Sequence, residues 1–466
     1  MIRRRDFLKT SALLFPGLPV FAENTYANQR DIQQAKEPFD PGIKLVRDGI
    51  EAAKKGKKNN IPPVLRDEIL ENPQSVFLIR TNLVFQKDQD GKFPSEKEQF
   101  QRTGYETARK IFKKGNQNGG TTYIKPNFVG GFSADERSLN NGVSTHPSFV
   151  IGFSEWLQEL GNTNIVVGAN GAAQHKHFVE SGICEMMHNH KICFTEGKYN
   201  SWHDYKTSEV TWVDYSEGVV MRKIPFFKLT KEKDTTFINM AKDRIHQLGF
   251  TTLTIKNLQG IMPVGYMHIC DSWESNLNNV RALEPSKNVI NADFQNKIEQ
   301  LYIKHARMNY KYWDEDGHSR DYFKLGGWEA FKKGQFKPDY KVFWGEQWGQ
   351  RMMDVASNIT PYINIVEGIV GIDGRSTLHL NNFITISRSM VACDSVASWL
   401  MGHDPRELPY LRIANERGMG DNNIENITIY EIKEKTIERV KNYQSLQRAR
   451  MGVWVYSTKN APLRFF

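Results

Sequence analysis

The chain has no run near the ~18 consecutive apolar residues of a membrane-spanning helix, so no integral membrane span is expected. It has only four cysteines in 466 residues, which excludes a disulfide-dense scaffold. No C-x-x-C spacing occurs, so neither a tetrathiolate zinc nor an iron–sulfur cluster is expected. Gly168-Ala169-Asn170-Gly171 is a tight turn and not a G-x-G-x-x-G fingerprint, so no NAD-type cofactor follows from it. Internal repeats and low-complexity blocks are absent. Lys and Arg are spread along the chain, and a formal charge of +9 is modest for this length, so nucleic acid is not an expected partner.

What the chain does have is enough apolar material, 39% of its residues, for a substantial core. Its first residues stand apart. A basic start at Arg3-Arg4-Arg5 is followed by a short, weakly apolar run from Thr10 to Ala22. That run carries Pro16, Gly17 and Pro19, which a stable helix avoids. Basic start, short apolar stretch and small-residue exit (Val20, Ala22) read as an export signal. Arg4-Arg5-Asp6-Phe7-Leu8-Lys9 resembles the twin-arginine consensus, which implies passage through the Tat translocase in the folded state and a soluble periplasmic destination. Removing residues 1–22 takes away four basic groups and one acidic group and leaves a charge of +6. In an oxidising compartment Cys184, Cys193, Cys270 and Cys393 are free to pair, but no spacing dictates partners.

Residues 23–73 are polar and read as an N-terminal arm that wraps the core or stays mobile. Strand-like and helix-like patterns then alternate. Ser75–Arg80, Thr121–Lys125, Asn164–Gly168 and Thr235–Met240 read as strands, and Ser95–Lys114 and Pro147–Leu160 as helices. Val210–Asp214 and Val219–Lys223 read as a hairpin. After the core's first part, 74–270, comes a stretch over 271–341 rich in Trp, Tyr and charge, expected to be a mainly helical insertion or lid. The core resumes over 342–466, with a helix over Val342–Ser357, strands at Tyr362–Val370 and Phe383–Ser387, and a helix over Met390–Met401. The expected fold class is α/β: a layered mixed or parallel sheet flanked by helices, with the aromatic insertion.

In such sheets ligands sit beyond the carboxyl ends of strands, so the residues there are the ones to inspect. Lys125 and Asn127 follow one strand. Thr145 and His146 precede a helix start, where anions are favoured. Lys242 and His246 follow another strand, and a helix there places both on one face. Lys256 and Asn257 come next, then His268. Glu367 ends a later strand, Asp394 heads a helix, and His379 lies between them. Each lysine sits among apolar or small residues, with a histidine soon after. Desolvated lysines become useful acids or bases, and histidine titrates near neutrality. The expected catalytic set is Lys125, His146, Lys242, His246, Lys256 and His268, with Asn127, Thr145, Asn257, Glu367 and Asp394 binding substrate. Two acidic turns, Asp88-Gln89-Asp90-Gly91 and Asp314-Glu315-Asp316-Gly317, lack the closing Glu of a calcium loop and read as turns.

The segments Tyr123-Ile124-Lys125-Pro126-Asn127, Ser144-Thr145-His146-Pro147, Thr254-Ile255-Lys256-Asn257-Leu258-Gln259-Gly260, Ile365-Val366-Glu367-Gly368-Ile369-Val370-Gly371 and Ala392-Cys393-Asp394-Ser395-Val396-Ala397 together resemble the DUF362 family. The resemblance runs in order over roughly residues 120–420. It implies a shared fold and site and supplies no reaction. Glu367 stands where many relatives show Asp, and the ferredoxin-like cysteine cluster of some relatives is missing.

The expectation is an exported enzyme of carbohydrate or organic-acid metabolism. Its lysines would neutralise negative charge on an anionic or sugar-derived molecule while a histidine moves a proton, as in epimerisation, isomerisation or elimination. Two alternatives stay open. The same groups would suit a hydrolase assisted by a divalent metal, or a non-catalytic binding or maturation protein.

Overall fold

The computed structural model describes residues 51–85, 95–117, 119–128, 142–169, 181–196, 210–246, 249–262, 339–374 and 377–452. The export signal, nearly all of the aromatic insertion, His268 and Cys270 lie outside the described residues, as do both acidic turns.

In chain order the strands are β1 (Val64–Leu65), β2 (Val76–Arg80), β3 (Phe112–Lys113), β4 (Thr121–Pro126), β5 (Ile165–Ala169), β6 (Cys193–Glu196), β7 (Val210–Asp214), β8 (Lys223–Phe227), β9 (Thr235–His246), β10 (Phe250–Thr252), β11 (Ile363–Ile372), β12 (Leu378–Ser387), β13 (Ile429–Ile432) and β14 (Ile437–Arg439). The helices are α1 (Asp67–Leu70), α2 (Glu96–Ile111), α3 (Pro147–Glu159), α4 (Ile183–Asn189), α5 (Thr254–Asn257), α6 (Asp339–Ser357), α7 (Met390–Met401) and α8 (Pro409–Glu416).

Ten strands form one mixed sheet in the order β14-β13-β2-β12-β11-β9-β4-β5-β6, with β10 folded back on β9. From β11 to β6 the neighbours are parallel, while β12 runs antiparallel to both β11 and β2. The parallel half follows from the sequence, because strands such as β4 and β11 are buried on both faces and read as nearly continuous apolar runs. On one face, Ile124, Ile238, Met240 and Ile365 pack against Phe100 of α2 and Phe149 and Phe153 of α3. On the other, Tyr123 and Phe237 meet Ile255 of α5, Trp348 of α6 and Leu411 of α8, and Val366 meets Val396 of α7. The result is an α/β fold with helices on both sides of the sheet.

Local chemistry sets the helix ends. Ser95 caps α2 by accepting from the Glu98 N–H, and Ser389 caps α7 by accepting from Ala392 N–H. Gly402, at φ 104°, ends α7 in the left-handed region. Asp394 therefore lies inside α7 and does not head it.

Two other expectations are corrected. Lys242 and His246 lie on β9 and not on a helix; pairing of β9 with β11 and β10 overrides the mixed local propensity of Ala241–Ile245. The second hairpin strand is Lys223–Phe227 and not Val219–Lys223. The reason is visible: the N–H groups of Val219, Val220 and Met221 all donate to the buried Asp354 carboxylate, so they are not available to a ladder.

The described end of the polar arm is fixed on the core. β1 pairs with β3, and buried Asn60 accepts from Thr163 N–H and Asn164 N–H while donating to the Gly120 carbonyl. Cys184, Cys193 and Cys393 are free thiols.

Helices α2 and α3 touch through glycine. A Cβ at Gly104 would fall on the Phe149 carbonyl oxygen, and one at Gly152 on that of Gln101. Gly104→Ala or Gly152→Ala is expected to lower stability by about 1–3 kcal/mol through overpacking. Urea unfolding checks this, as a lower midpoint at unchanged slope.

Candidate functional site

The first cluster forms at the carboxyl end of β4. Lys125, Asn239 and Asn364 stand directly opposite one another on three adjacent strands. Lys125 Nζ donates to the Asn257 amide oxygen at 2.6 Å and to the Pro126 carbonyl at 2.9 Å. Asn257 Nδ2 donates back to the Lys125 carbonyl and to Asn239 Oδ1. Asn239 in turn donates to the Thr254 carbonyl and to Asn364 Oδ1. Lys125 is only 3% exposed. Burial, and then the nearby Lys256 charge, pull its ammonium down to about 7.

Side chains alternate along a strand, so Lys125 follows Tyr123 onto the α5–α6 face. His246 joins that side from the end of β9, with its ring 6.4 Å from that of Trp348 on α6. Its Nδ1 accepts from Gly249 N–H, which leaves the proton of the neutral ring on Nε2. Burial, then Lys256 and Arg244, hold this histidine well below its ordinary value, so it is neutral at pH 7. Lys256 acts on both Lys125 and His246 and is the charge that links them.

The second cluster lies on the α2–α3 face. Lys242 follows Ile238 and Met240 there, and Glu367 follows Ile363 and Ile365. The two residues are paired in register on β9 and β11. Lys242 Nζ meets both Glu367 oxygens, at 2.8 and 2.7 Å, and both side chains are buried. Glu367 also accepts from Ile369 N–H at 3.0 Å and His146 N–H at 3.3 Å. Asp243 lies beside them, with Oδ1 3.6 Å from Lys242 Nζ, and burial pushes its carboxyl up to about 7.

His146 caps α3. Its Nδ1 accepts from Ser148 N–H, its ring stacks on Phe100 at 3.9 Å, and Nε2 lies 3.3 Å from Glu96. Burial lowers its value to about 3, so it stays neutral. Thr145 Oγ1 accepts from Asn127 N–H and donates to the Met240 carbonyl, and Asn127 Nδ2 donates to the Val143 carbonyl. These bonds fasten the loop to the sheet. His379 on β12 pairs with Asp373, which directly follows β11.

A family model for a domain of unknown function, DUF362, matches residues 122–399, more than half of the chain. The chain belongs to the DUF362 family. No curated protein and no solved structure matches it.

The DUF362 segments therefore have separate places in the fold. Lys125 and Asn257 meet on one face with the Lys256 charge nearby, and His246 stands further along β9 on the same side, beside Trp348. Lys242, Glu367, Thr145 and His146 come together on the other. Asp394 belongs to the first group as a support. Its carboxylate accepts from the Thr254 hydroxyl, from Thr254 N–H at 2.8 Å and from Ile255 N–H at 3.1 Å, capping α5 from inside α7. Burial raises its carboxyl to about 7. Asn239 and Asn364 were not singled out in the sequence. Their signal is a lone amide inside an apolar strand, as in Phe237-Ile238-Asn239-Met240 and Ile363-Asn364-Ile365. Among the described residues no group of three or more His, Cys, Asp or Glu side chains is arranged to hold a metal ion.

Lys242→Met is expected to cost about 3–5 kcal/mol, because it leaves the buried Glu367 charge without its counter-ion. Adding Glu367→Gln to that variant should recover part of the loss. Urea unfolding of the two variants checks it; equal stabilities would contradict the pairing.

Proposed function

We propose that this DUF362 chain is an exported enzyme that carries out acid–base chemistry on an anionic small molecule, an organic acid or sugar acid. The observation that supports it is the buried Lys125 amine at the carboxyl end of β4, held by Asn257 and Pro126 with the Lys256 charge nearby. Lys256 supplies positive charge for a carboxylate. Lys125, near-neutral in its titration, takes a proton from the carbon next to that carboxylate. His246, neutral and with its proton on Nε2, is a second proton-carrying group on the same side of the sheet. Epimerisation, isomerisation and elimination all begin with this proton removal. Glu367 and Lys242 then serve the framework and leave the first cluster to the ligand.

The test is deuterium exchange. The purified chain is incubated in D2O with a panel of 2-hydroxy acids and sugar acids, and proton NMR follows the carbon next to each carboxylate. Exchange at that carbon is expected to rise with pH through about 7, since the neutral amine is the base and its population grows as Lys125 loses its proton. Lys125→Met should slow exchange by about 100-fold or more. Saturable binding of an anion with no exchange at any pH would favour a non-catalytic binding protein.

Export rests on the Arg4-Arg5-Asp6-Phe7-Leu8-Lys9 string. Arg4→Lys with Arg5→Lys is expected to retain the chain in the cytoplasm, and cell fractionation reads it. Unchanged periplasmic yield would remove the twin-arginine reading.

A further inference from the structure

We propose that Lys125 is an imine-forming amine for a small carbonyl-bearing anion, a 2-oxo acid or an aldehyde acid, with Lys256 pairing the anion's carboxylate. The proposal rests on the reading above that this cluster takes an anionic small molecule, and it adds a covalent step and a narrower substrate class.

The argument starts from hydrogen-bond capacity. An ammonium has three N–H donors, and a neutral amine has two donors and a lone pair. Among the described residues Lys125 Nζ has two acceptors, the Pro126 carbonyl and the Asn257 amide oxygen. Both are neutral. A neutral amine satisfies both and keeps its lone pair in the remaining direction, whereas an ammonium would bury a third N–H without an acceptor. No carboxylate is paired with Lys125 among the described residues, while Lys256 lies close enough to repel a second charge. Lys242 is the contrast within the same sheet: equally buried, it meets both oxygens of the Glu367 carboxylate.

A desolvated lysine beside a second cation is a nucleophile at neutral pH. At pH 7 a lysine titrating near 7 is about half free amine, against about 1 in 2,500 for one of ordinary pKa ~10.4. The step balances without an oxidant or reductant. The Lys125 nitrogen bonds the carbonyl carbon, the C=O π pair moves to oxygen, and the oxygen leaves as water after the nitrogen gives up its protons. Amine plus carbonyl gives imine plus water. Once protonated, the imine nitrogen keeps one N–H for Asn257 or Pro126. It also acidifies the C–H next to the former carbonyl carbon; with its nitrogen in the imine, Lys125 activates that proton and does not itself remove it.

The experiment is reductive trapping on the full chain, with pyruvate as probe and sodium borohydride at pH 7. Peptide mass spectrometry then locates the reduced adduct. Lys125 is expected to be labelled at least tenfold faster than exposed lysines such as Lys54 and Lys433, and acetone, which lacks the carboxylate, should label it far more slowly. Lys256→Met keeps the amine and should lower the labelling by pyruvate at least tenfold while narrowing the gap to acetone. Labelling of Lys125 in urea but not in the native chain would overturn the proposal, since it would mark a closed structural amine. Labelling spread over surface lysines would overturn it too. If trapping fails while deuterium exchange still depends on Lys125, the imine falls and the acid–base reading stands. If both fail, both readings fall.

Discussion

Two adjacent strands of the sheet, β4 and β9, each carry one buried lysine, and the fold depends on how each is neutralised. For Lys242 the answer is an ion pair. Removing a carboxylate and an ammonium from water costs several kcal/mol per ion, and that cost is offset only where the remaining hydrogen-bonding capacity is filled. Glu367 meets the condition. Its two oxygens take Lys242 from β9, Ile369 from its own strand and His146 from the start of α3. One carboxylate thus joins two strands and the helix above them. The irregular β9–β11 register beyond Glu367 begins where that job ends.

Lys125 is neutralised differently. It reaches the opposite face of the sheet and finds amide and carbonyl oxygens in place of an acid. The ladder of Lys125, Asn239 and Asn364 across β4, β9 and β11 is held by dipoles alone, with Asn364 donating onward to the carbonyls of Ser387 and Arg388. Dipoles stabilise an ammonium much less than a carboxylate does, so desolvation decides its state. Two lysines on adjacent strands, both buried, therefore hold opposite chemistry. One is paired with a carboxylate and spent on structure. The other exchanges a proton near neutral pH.

Much of the framework was legible from local pattern. The helix over Met390–Met401 was read to the residue, because a serine cap, a continuous apolar stretch and a glycine stop all agree there. Strands β4, β5 and β11 were read within a residue or two from their apolar runs. Lys242 and His246 were misread as helical because Ala241–Ile245 is locally ambiguous and only its neighbours make it a strand. The residues that the sequence singles out fall into two groups on opposite faces, and that partition is not legible in the sequence. Nothing local in the sequence tells Lys242 that its partner is Glu367, 125 positions away, or tells Lys125 that its acceptors are an amide and a carbonyl oxygen. The face a strand residue occupies fixes this, and face depends on register across the sheet.

Asp394 shows why distant segments of the family pattern belong together. It sits one turn into α7, a helix locked against β11 and β12, and its carboxylate holds the first turn of α5 by two backbone N–H groups and the Thr254 hydroxyl. α5 carries Lys256 and Asn257, and Asn257 holds Lys125. The helix thus sets the position of the Lys125 amine through one carboxylate and one amide. Burial makes that carboxylate costly to ionise, with its value raised to about 7 from ~3.9 in an unfolded chain. The unfolded carboxyl ionises first, so this group's contribution to stability is lost as pH climbs from about 4 through 7. A neutral side chain of similar shape would avoid that cost but would accept fewer hydrogen bonds from the same backbone N–H groups. The arrangement gives up stability near neutral pH for a fixed geometry around Lys125, a trade expected where position and proton exchange matter more than stability.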